Sequence, residues 1–398
     1  MSKRTLASLD GAHLDGQRVV VRVDLNVPIA DGVVGDDTRI RAVLPTIRYL
    51  RDKGARVVLL SHLGRPKGGP DPKYSLRPVA RALEVALGFP VTFLPDPTTD
   101  DAAATVRHLP RGGVALAENT RFYPGEEQND GALADRFAAL GTMFVNDAFG
   151  SAHRAHSSTE AIAHRLKPAV SGFLMEKELQ FLGNAVNAPV RPFVAILGGA
   201  KISGKIDLIE ALLPKVDHIL VGGAMACTFF KAMGLEVGNS LVELDRVEMA
   251  KDLIAKAGSK LVLPSGARIA ERLEEHAVTR GVPRDGIPAG WAMFDIDASS
   301  VMQFSAIIAG ARTVIWNGPM GVFEMPPFDA GTMGVARALA SATTSGAITI
   351  VGGGDSAAAI VAAGLESQVT HVSTGGGASL EFLEGKPLPG VEALDNAP

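Results

Sequence analysis

Charged and amide side chains follow four apolar runs early in the chain, whereas glycines follow six apolar runs later. The early sequences are Val23-Asp24-Leu25-Asn26, Ser61-His62-Leu63-Gly64-Arg65, Glu118-Asn119-Thr120-Arg121 and Asn146-Asp147. The later ones are Gly198-Gly199-Ala200-Lys201, Gly222-Gly223-Ala224, Pro264-Ser265-Gly266, Asn317-Gly318-Pro319, Gly352-Gly353-Gly354-Asp355 and Gly375-Gly376-Gly377. Ligands of open parallel sheets bind outside the carboxyl ends of the strands. Cationic side chains suit a small polyanion, and glycines let a backbone approach phosphates closely. The pattern predicts two cooperating ligand sites.

The cationic residues of the first half share a position at or near the predicted strand ends. They are His62, Arg65, Arg121 and Arg154, with Arg39 at a helix start. One such arginine is usually a surface ion pair, but several at the ends of one sheet indicate an anion site, because guanidinium binds carboxylate and phosphate bidentately. Arg22 lies within a strand and needs a partner, for which Asp24 is a candidate. His153 and His156 lack a suitably spaced third metal ligand, which favours structural roles.

The segment Gly352-Gly353-Gly354-Asp355-Ser356 lies between an apolar run and a good helix sequence. Free N–H groups at a helix N-terminus bind anions. One interpretation is a dinucleotide fingerprint, Gly352-x-Gly354-x-x-Ala357, which is weak by itself. A second is a phosphate site in which Asp355 meets Mg²⁺. A third makes Asp355 or Ser356 a helix N-cap.

Two further segments suggest nucleotide contacts. The run from Gly199 to Lys205 resembles a phosphate-binding loop, but Ile206 replaces the usual hydroxyl residue. Lys201 and Lys205 are four residues apart, so on a helix they would share a face and point toward phosphate. The loop from Trp316 to Glu324 contains Asn317; it could line an adenine pocket, with Glu324 on the ribose, or form an ordinary buried turn.

The elements that position these residues are predicted from continuous apolar runs. The strand runs are Arg18–Val23, Ala55–Leu60, Phe193–Leu197, His218–Val221, Thr313–Trp316 and Ala347–Val351. Such runs are typical of parallel strands buried on both faces. Helical spacing is found over residues 38–50, 245–257 and 267–279. Strand–helix alternation indicates an α/β fold.

A domain boundary is predicted near residues 172–192, where a helix over 175–182 is followed by Pro189 and Pro192. The predicted parts are an N-terminal domain (1–172), an interdomain helix and hinge (173–192), a C-terminal domain (193–380) and a terminal segment (381–398). The Pro/Gly-rich composition of residues 385–390 by itself predicts fraying.

Composition excludes several classes of protein. The net charge of −4 argues against nucleic acid as a partner, and a single cysteine excludes a disulfide framework. No apolar run is long enough to predict a membrane span, and no secretory signal is visible. We therefore expect a cytoplasmic protein.

Read together, these motifs resemble those of the phosphoglycerate kinase family over essentially the whole chain. The amino-half motifs are Arg22-Val23-Asp24-Leu25-Asn26-Val27-Pro28, Ser61-His62-Leu63-Gly64-Arg65-Pro66, Glu118-Asn119-Thr120-Arg121-Phe122, Asn146-Asp147-Ala148-Phe149-Gly150 and Ala152-His153-Arg154-Ala155-His156. The carboxyl-half motifs are Leu197-Gly198-Gly199-Ala200-Lys201, Trp316-Asn317-Gly318-Pro319-Met320-Gly321 and Gly352-Gly353-Gly354-Asp355. Each is long, and their order matches the family.

The resemblance implies two doubly wound, Rossmann-like parallel-sheet domains joined by a hinge helix. It implies reversible phosphoryl transfer between 1,3-bisphosphoglycerate and ADP, giving 3-phosphoglycerate and ATP, with Mg²⁺ carried by the nucleotide. The implied acid-binding residues are Asp24, Leu25, Asn26, Arg39, His62, Leu63, Gly64, Arg65, Arg121 and Arg154. The implied nucleotide-binding residues are Lys201, Lys205, Asn317, Glu324, Gly353, Gly354, Asp355 and Ser356. Asp355 would meet the metal, and Arg39, Lys205, Gly353 and Gly354 would act on the transferring group. A monomer is expected, with a terminal segment that returns to the amino domain.

Four positions depart from the family pattern without removing a catalytic group. They are Gly204, Ser265-Gly266, Cys227 and Tyr123-Pro124-Gly125. Two other functions stay open from the residues alone. An NAD-dependent dehydrogenase would use the glycine fingerprint at 352–357, but residues 371–375 offer no acid for the ribose. A non-catalytic, two-lobed anion-binding protein would explain the arginines but not the aspartate suited to Mg²⁺.

Overall fold

The chain forms two compact units in a computed structural model that describes residues 2–9 and 13–397. Unit 1 contains the residues up to Gln180 together with those from Pro387 onward, and unit 2 contains Phe181–Lys386. The chain therefore crosses between units at Gln180–Phe181 and at Lys386–Pro387, whereas the sequence placed the corresponding boundaries at 172–192 and 380.

Unit 1 is built on a six-stranded parallel sheet in its described residues. The strands of this unit are β1 (Arg18–Arg22), β2 (Ile29–Ala30), β3 (Val33–Val34), β4 (Arg56–Leu60), β5 (Val91–Leu94), β6 (Val114–Ala117), β7 (Met143–Asn146) and β8 (Ala169–Ser171). The helices are α1 (Thr38–Asp52), α2 (Arg77–Leu87), α3 (Asp100–His108), α4 (Gly131–Ala138) and the start of α5 (Phe173–Asn187). The sheet order is β5-β6-β4-β1-β7-β8, and β2 and β3 form a separate hairpin.

Alternate residues of the central strands face two different hydrophobic cores. Val19 and Val21 of β1 pack in one core, while Val20 packs in the other. Val57 and Val58 of β4 divide in the same way. Helices therefore cover both faces of the sheet, which explains the continuous apolar runs. The chain extends from β1 to one side through β4 and to the other through β7, which creates a switch point between β1 and β7.

Unit 2 also contains a six-stranded parallel sheet among the residues described. The strands of this unit are β9 (Phe193–Leu197), β10 (His218–Val221), β11 (Leu261–Val262), β12 (Gly266–Ala270), β13 (Arg280–Pro283), β14 (Ala292–Ile296), β15 (Thr313–Asn317), β16 (Ile348–Gly352) and β17 (His371–Val372). The helices are α6 (Ile206–Leu212), α7 (Met225–Ala232), α8 (Val247–Ala257), α9 (Ala298–Gly310), α10 (Ala330–Thr344), α11 (Gly354–Ala362) and α12 (Gly377–Leu383). The main order is β11-β10-β9-β15-β16-β17, so the strand order reverses between β9 and β15.

The predicted α/β fold with two parallel sheets is confirmed, and one helix prediction is wrong. Residues 267–279 do not form a helix; β12 is the middle strand of a small antiparallel sheet, β13-β12-β14. Its buried Ala267 and Ile269 alternate with the half-buried Arg268, which is the period of a strand. The ten apolar runs also missed β5 and β8 of the parallel sheet in unit 1.

The terminal segment does not fray. Helix α13 (Pro389–Glu392) lies in it, and Gly390 N donates to the carbonyl of Ala152. Asp395 N donates to the carbonyl of Ala169, and the carbonyl of Asp395 accepts from Arg4 N. These hydrogen bonds attach the segment to unit 1. In the part of the chain that the structure covers, no helix is both long and apolar enough to cross a membrane.

Candidate active site

An ion pair between Asp24 and Arg39 lies at the end of β1, at the switch point of unit 1. Asp24 follows this strand, and its Oδ2 lies 2.5 Å from Nη1 of Arg39 in the first turn of α1. Burial alone would raise the pKa of Asp24, but His62, Arg39 and Arg22 hold that pKa below its usual value. Asp24 is therefore a carboxylate that sets the position of Arg39.

Backbone groups from neighbouring strand ends are fixed by amide side chains. Oδ1 of Asn26 accepts from Gly64 N at 2.9 Å, which joins the segment after β1 to the segment after β4. Asn119, which is fully buried, accepts from Leu63 N at 3.2 Å and donates to the Leu63 carbonyl at 2.7 Å. Leu25 N donates to Ser61 Oγ at 2.9 Å. Leu25, Leu63 and Gly64 thus contribute backbone geometry rather than side-chain chemistry.

We name the basic side chains Arg39, His62, Arg65, Arg121 and Arg154 the basic cluster. Nη1 of Arg121 donates to the carbonyl of Gly64 at 2.7 Å, and its Nε lies 3.1 Å from Glu127 Oε1. Burial lowers the pKa of Arg121, and Arg154 and Arg65 lower it further by repulsion. Arg65 and Arg154 are exposed. Crowded guanidinium groups with few carboxylate partners create a strong local preference for a polyanion.

Burial also determines the charge of two histidines, His62 within this cluster and His156. It lowers the pKa of His62 to about 3; Asp24 opposes this effect, while Arg22, Arg121 and Arg39 add to it. It lowers the pKa of His156 to about 4, assisted by Arg22 and other cations. Both rings are therefore neutral near pH 7. No group of three or more metal-ligating side chains occurs among residues 2–9 and 13–397.

In unit 2, the carboxyl ends of β9, β15 and β16 surround a pocket of about 320 Å³, here called the phosphate pocket. Lys205 Nζ donates to Oδ1 of Asn317, and Asn317 Nδ2 donates to the carbonyl of Gly352 at 2.7 Å. Ser356 Oγ accepts from Gly318 N at 2.5 Å. The predicted residues that line this pocket are Lys201, Lys205, Asn317, Gly353, Gly354, Asp355 and Ser356.

Gly353 has a backbone that other residues rarely adopt. Its φ is 93°, and a Cβ there would lie 2.7 Å from Nδ2 of Asn317. Gly353 ends the turn from β16 into α11, whose first residues line the phosphate pocket. A helix N-terminus and a lysine at one pocket are suited to a phosphate group. Burial lowers the pKa of Lys205, whereas Asp355 and Glu384 oppose this effect.

A second pocket of about 710 Å³, here called the outer pocket, adjoins the first because both are lined by Gly199, Ala200, Pro319 and Asp355. Apolar groups such as Leu241 and Phe294 line it together with Glu324. This lining matches a base and ribose adjacent to phosphates.

Asp355 is a carboxylate suited to a metal ion that is bound together with phosphate groups. Mg²⁺ in phosphate sites is often held by one or two carboxylates, with substrate phosphates and water supplying the other ligands. Asp355 is exposed and lines both pockets, so a single carboxylate at this point fits that donor set.

The structure corrects one inference about the lysines and adds residues that sequence reasoning missed. Lys201 and Lys205 do not share a helix face, because α6 begins only at Ile206 and both lysines lie in the preceding loop. Arg22 hydrogen-bonds to Ser158, Val23 and His62 rather than to Asp24. Ser158 and its partner Glu126 had no distinctive sequence signal, since neither lies at a strand end. Asn119 lies within a quoted motif but was not assigned a role.

Comparisons with known proteins show the family to which this chain is similar. The family model described as phosphoglycerate kinase matches residues 9–386. A phosphoglycerate kinase from Chloroflexus aurantiacus is 56% identical over 403 aligned residues, which cover 100% of both chains. The structure of phosphoglycerate kinase from Coxiella burnetii superposes with a TM-score of 0.89 at 40% identity, covering 98% of each chain. The structure of phosphoglycerate kinase from Pyrococcus horikoshii superposes with a TM-score of 0.84 at 32% identity, also covering 98% of each chain. The chain belongs to the phosphoglycerate kinase family.

Proposed function

We propose that the basic cluster of unit 1 binds 3-phosphoglycerate or 1,3-bisphosphoglycerate and that the two pockets of unit 2 bind ATP or ADP with Mg²⁺. Membership of the family makes the chain a phosphotransferase of glycolysis that acts on phosphoglycerate. The dehydrogenase and the non-catalytic anion-binding protein are not favoured by the family match. The residue roles are supported by the cations of unit 1 and the glycine-rich strand ends of unit 2.

The reaction needs no general base at these sites. The attacking group is a carboxylate in one direction and the terminal phosphate of ADP in the other, and both are already anionic. The obstacle is repulsion between anions, so catalysis consists of positioning and electrostatic stabilisation of the transferring phosphoryl group. Bound Mg²⁺ would supply charge neutralisation on the nucleotide, with Asp355 as its protein ligand. Arg39 and Lys205 are the cations proposed to act on the transferring group, assisted by the backbone N–H groups of Gly353 and Gly354.

One observation supports this assignment: the strand ends of the two compact units carry different kinds of polar groups. Asp24 fixes Arg39 in unit 1, where Arg65, Arg121 and Arg154 belong to the same basic cluster, whereas Asn317 fixes Lys205 in unit 2 beside a helix N-terminus. A carboxylate-bearing phosphate ester suits the first, because several guanidinium groups can bind its two ends. A nucleotide suits the second, because the phosphate pocket continues into the partly apolar outer pocket.

The direct test is a coupled assay. Purified protein with 3-phosphoglycerate, MgATP, NADH and glyceraldehyde-3-phosphate dehydrogenase should oxidise NADH only when all components are present. An Arg65→Ala, Asp355→Asn double variant serves as the site control and should lose most of this rate. Absence of ATP-dependent NADH oxidation with the wild-type chain would contradict the function, and full activity of the double variant would contradict the site.

We further propose that the chain acts as a monomer in the cytoplasm. Its single cysteine, Cys227, is buried and is not exposed to form an intermolecular disulfide. Light scattering during gel filtration should give a mass close to the 41.5 kDa of one chain. A stable mass of twice that value would contradict the monomer.

A further inference from the structure

The ring of His62 is held from one side by a buried arginine. Arg22 is 1% exposed, and its Nη2 lies 3.1 Å from Nδ1 of His62. A guanidinium group has five N–H donors and no acceptor, so Nδ1 must accept this hydrogen bond. A neutral imidazole that accepts at Nδ1 carries its proton on Nε2. In the described part of the chain, no side chain or backbone group hydrogen-bonds to that second nitrogen.

A buried serine and glutamate fix Arg22 in turn. Nε of Arg22 donates to Ser158 Oγ at 2.8 Å, and Nη1 donates to the carbonyl of Val23. The Ser158 hydroxyl donates its only hydrogen to Oε1 of Glu126 at 2.5 Å, while Ser158 N donates to Oε2 at 3.0 Å. Glu126 is 1% exposed. Because the serine proton goes to the carboxylate, Oγ is free to accept from Arg22. The donor and the acceptor of each hydrogen bond from Glu126 to His62 are therefore fixed.

Burial and the nearby arginines oppose protonation of the His62 ring. Burial is the largest effect, and the cations Arg22, Arg121 and Arg39 add to it. Asp24 is the carboxylate that acts in the opposite direction. The pKa of His62 is about 3, so the ring stays neutral through the physiological range. The geometry and the electrostatics therefore lead to the same protonation state by separate routes.

We propose that Glu126, Ser158 and Arg22 are positioning residues that hold His62 as the neutral Nε2–H tautomer, so that His62 offers an oxyanion of the acid substrate one directional hydrogen bond instead of a positive charge. The charge needed to bind the acid is then supplied by the arginines of the basic cluster. The inference rests on the proposed role of that cluster in binding the acid. Its central measurement, however, is made without substrate.

The tautomer can be read directly from nitrogen chemical shifts. Protein labelled with ¹⁵N-histidine contains nine histidines, and His62→Gln identifies the signals of His62 by their loss. We expect a protonated Nε2 and an unprotonated Nδ1 that do not titrate between about pH 5 and pH 8, a range in which an ordinary histidine changes charge. A proton on Nδ1, or a charged ring at about pH 6, would overturn the proposal.

Two adjacent buried serines provide a matched pair of variants. Ser158→Ala removes the hydroxyl between Glu126 and Arg22, so the His62 signals should show a mixture of tautomers. KM for 3-phosphoglycerate should rise about 3- to 10-fold, the loss expected for one weakened hydrogen bond, while KM for MgADP stays constant. Ser157→Ala is the control, because that hydroxyl bonds to the carbonyls of Gly125 and Asp130 instead. It should leave the His62 signals unchanged.

The conservative variant and a second substitution complete the test. Ser158→Thr keeps the hydroxyl and should restore both the tautomer and KM. Arg22→Lys keeps the charge but not the planar fork, so it cannot hold Ser158 and His62 together; it should shift the tautomer even where Ser158→Ala fails to fold. Unchanged His62 signals in both Ser158→Ala and Arg22→Lys would overturn the positioning role. Altered signals with an unchanged KM for the acid would overturn the donor role of His62, and with it that residue's place in the proposed site.

Discussion

Arg39 forms an ion pair with Asp24, with 2.5 Å between Nη1 and Oδ2. The arginine side chain is still 36% exposed, whereas that of Asp24 is 12% exposed. The ion pair therefore fixes one edge of the guanidinium and leaves the rest available to a ligand. This arrangement suits an arginine that must meet a developing negative charge without first being ordered.

The first prediction concerns this arginine. Arg39→Ala should lower kcat by on the order of 10³-fold, the effect of removing an arginine from a phosphoryl-transfer site. Arg39→Lys should recover little, because a point charge cannot keep the contact to Asp24 and also present a planar fork. Arg41→Ala is the control on the same helix, since Arg41 pairs with Asp37 at the surface. Steady-state assays should show near-normal kcat for Arg41→Ala; a similar value for Arg39→Ala would exclude the proposed role.

The second prediction separates the two ligands. Arg65→Ala should weaken binding of 3-phosphoglycerate and leave MgADP binding unchanged, because Arg65 belongs to the basic cluster of unit 1. Asp355→Asn should weaken MgADP binding and leave the acid unchanged, and its effect should disappear when Mg²⁺ is chelated. Isothermal titration calorimetry measures the affinity of each of the two variants for 3-phosphoglycerate and for MgADP, in comparison with the wild type. Equal losses of both ligands in either variant would refute the assignment of ligands to units.

The third prediction uses the close approach between Gly353 and Asn317. Gly353→Ala would place a methyl group 2.7 Å from Nδ2 of Asn317 at a φ of 93°, so the strand end must shift. We expect a higher KM for MgADP, a lower kcat and a loss of roughly 1–3 kcal/mol in the free energy of unfolding. Gly310→Ala is the control, because nothing lies within 4 Å of its added Cβ. Nucleotide kinetics like the wild type in Gly353→Ala would contradict this account of the phosphate pocket.

The fourth prediction concerns Asp295, a fully buried carboxyl group on β14. It accepts from Gly331 N at 2.6 Å and Ile296 N at 2.9 Å, yet burial raises its pKa to about 7. Between about pH 4 and pH 7 the folded chain keeps a proton that the unfolded chain releases, so the stability contributed by this group falls as pH rises. Asp295→Asn lacks that proton equilibrium. The variant's loss in free energy of unfolding relative to the wild type should therefore be larger at pH 5 than at pH 8, by on the order of 1–4 kcal/mol.

Denaturant unfolding followed by tryptophan fluorescence tests this, because both tryptophans, Trp291 and Trp316, lie in unit 2. The exposed Asp285→Asn in the same unit should show little change at either pH. An equal loss of stability at the two pH values in Asp295→Asn would show that the carboxyl group titrates normally.

The fifth prediction concerns a hinge at α5. Water would compete as phosphoryl acceptor, so we expect the substrates to drive a closure that excludes it. A ligand shifts such an equilibrium only through its differential affinity for the two states, so both substrates together should act more strongly than either alone. Small-angle scattering should give the smallest radius of gyration with 3-phosphoglycerate and a MgATP analogue combined. A radius that is constant with and without ligands would count against the hinge.

The parts of the fold that could be predicted from sequence are those with a local physical signature. The strand Phe193–Leu197 was predicted with its observed bounds, because a fully buried parallel strand is a continuous apolar run. Residues 267–279 were misassigned as a helix because apolar and polar residues occur there at spacings that fit both periods. Lys201 and Lys205 were placed on one helix because spacing alone does not show that α6 starts at Ile206.

The site was predictable where it lies at strand ends and not where it depends on long-range pairing. The cations and glycines at the strand ends follow directly from the residues after each apolar run. Glu126 and Ser158, in contrast, lie 32 positions apart on segments without regular pattern, and only the folded chain brings them to Arg22. The same holds for Asp295 and Gly331, which are 36 positions apart.

The attachment of residues 387–397 to unit 1 sets an order of events during synthesis. Lys3 pairs with Asn396 across an isolated β-bridge, and Lys167 forms an ion pair with Asp395 at 2.5 Å. The ribosome makes these late residues only after it has completed every residue of unit 2. A nascent chain therefore carries the whole sequence of the second unit while the first still lacks its final contacts, although the first began to emerge earlier. Amino-terminal domains usually finish folding first. Unit 1 is an exception, because its contacts with residues 387–397 can form only after unit 2 has been synthesised.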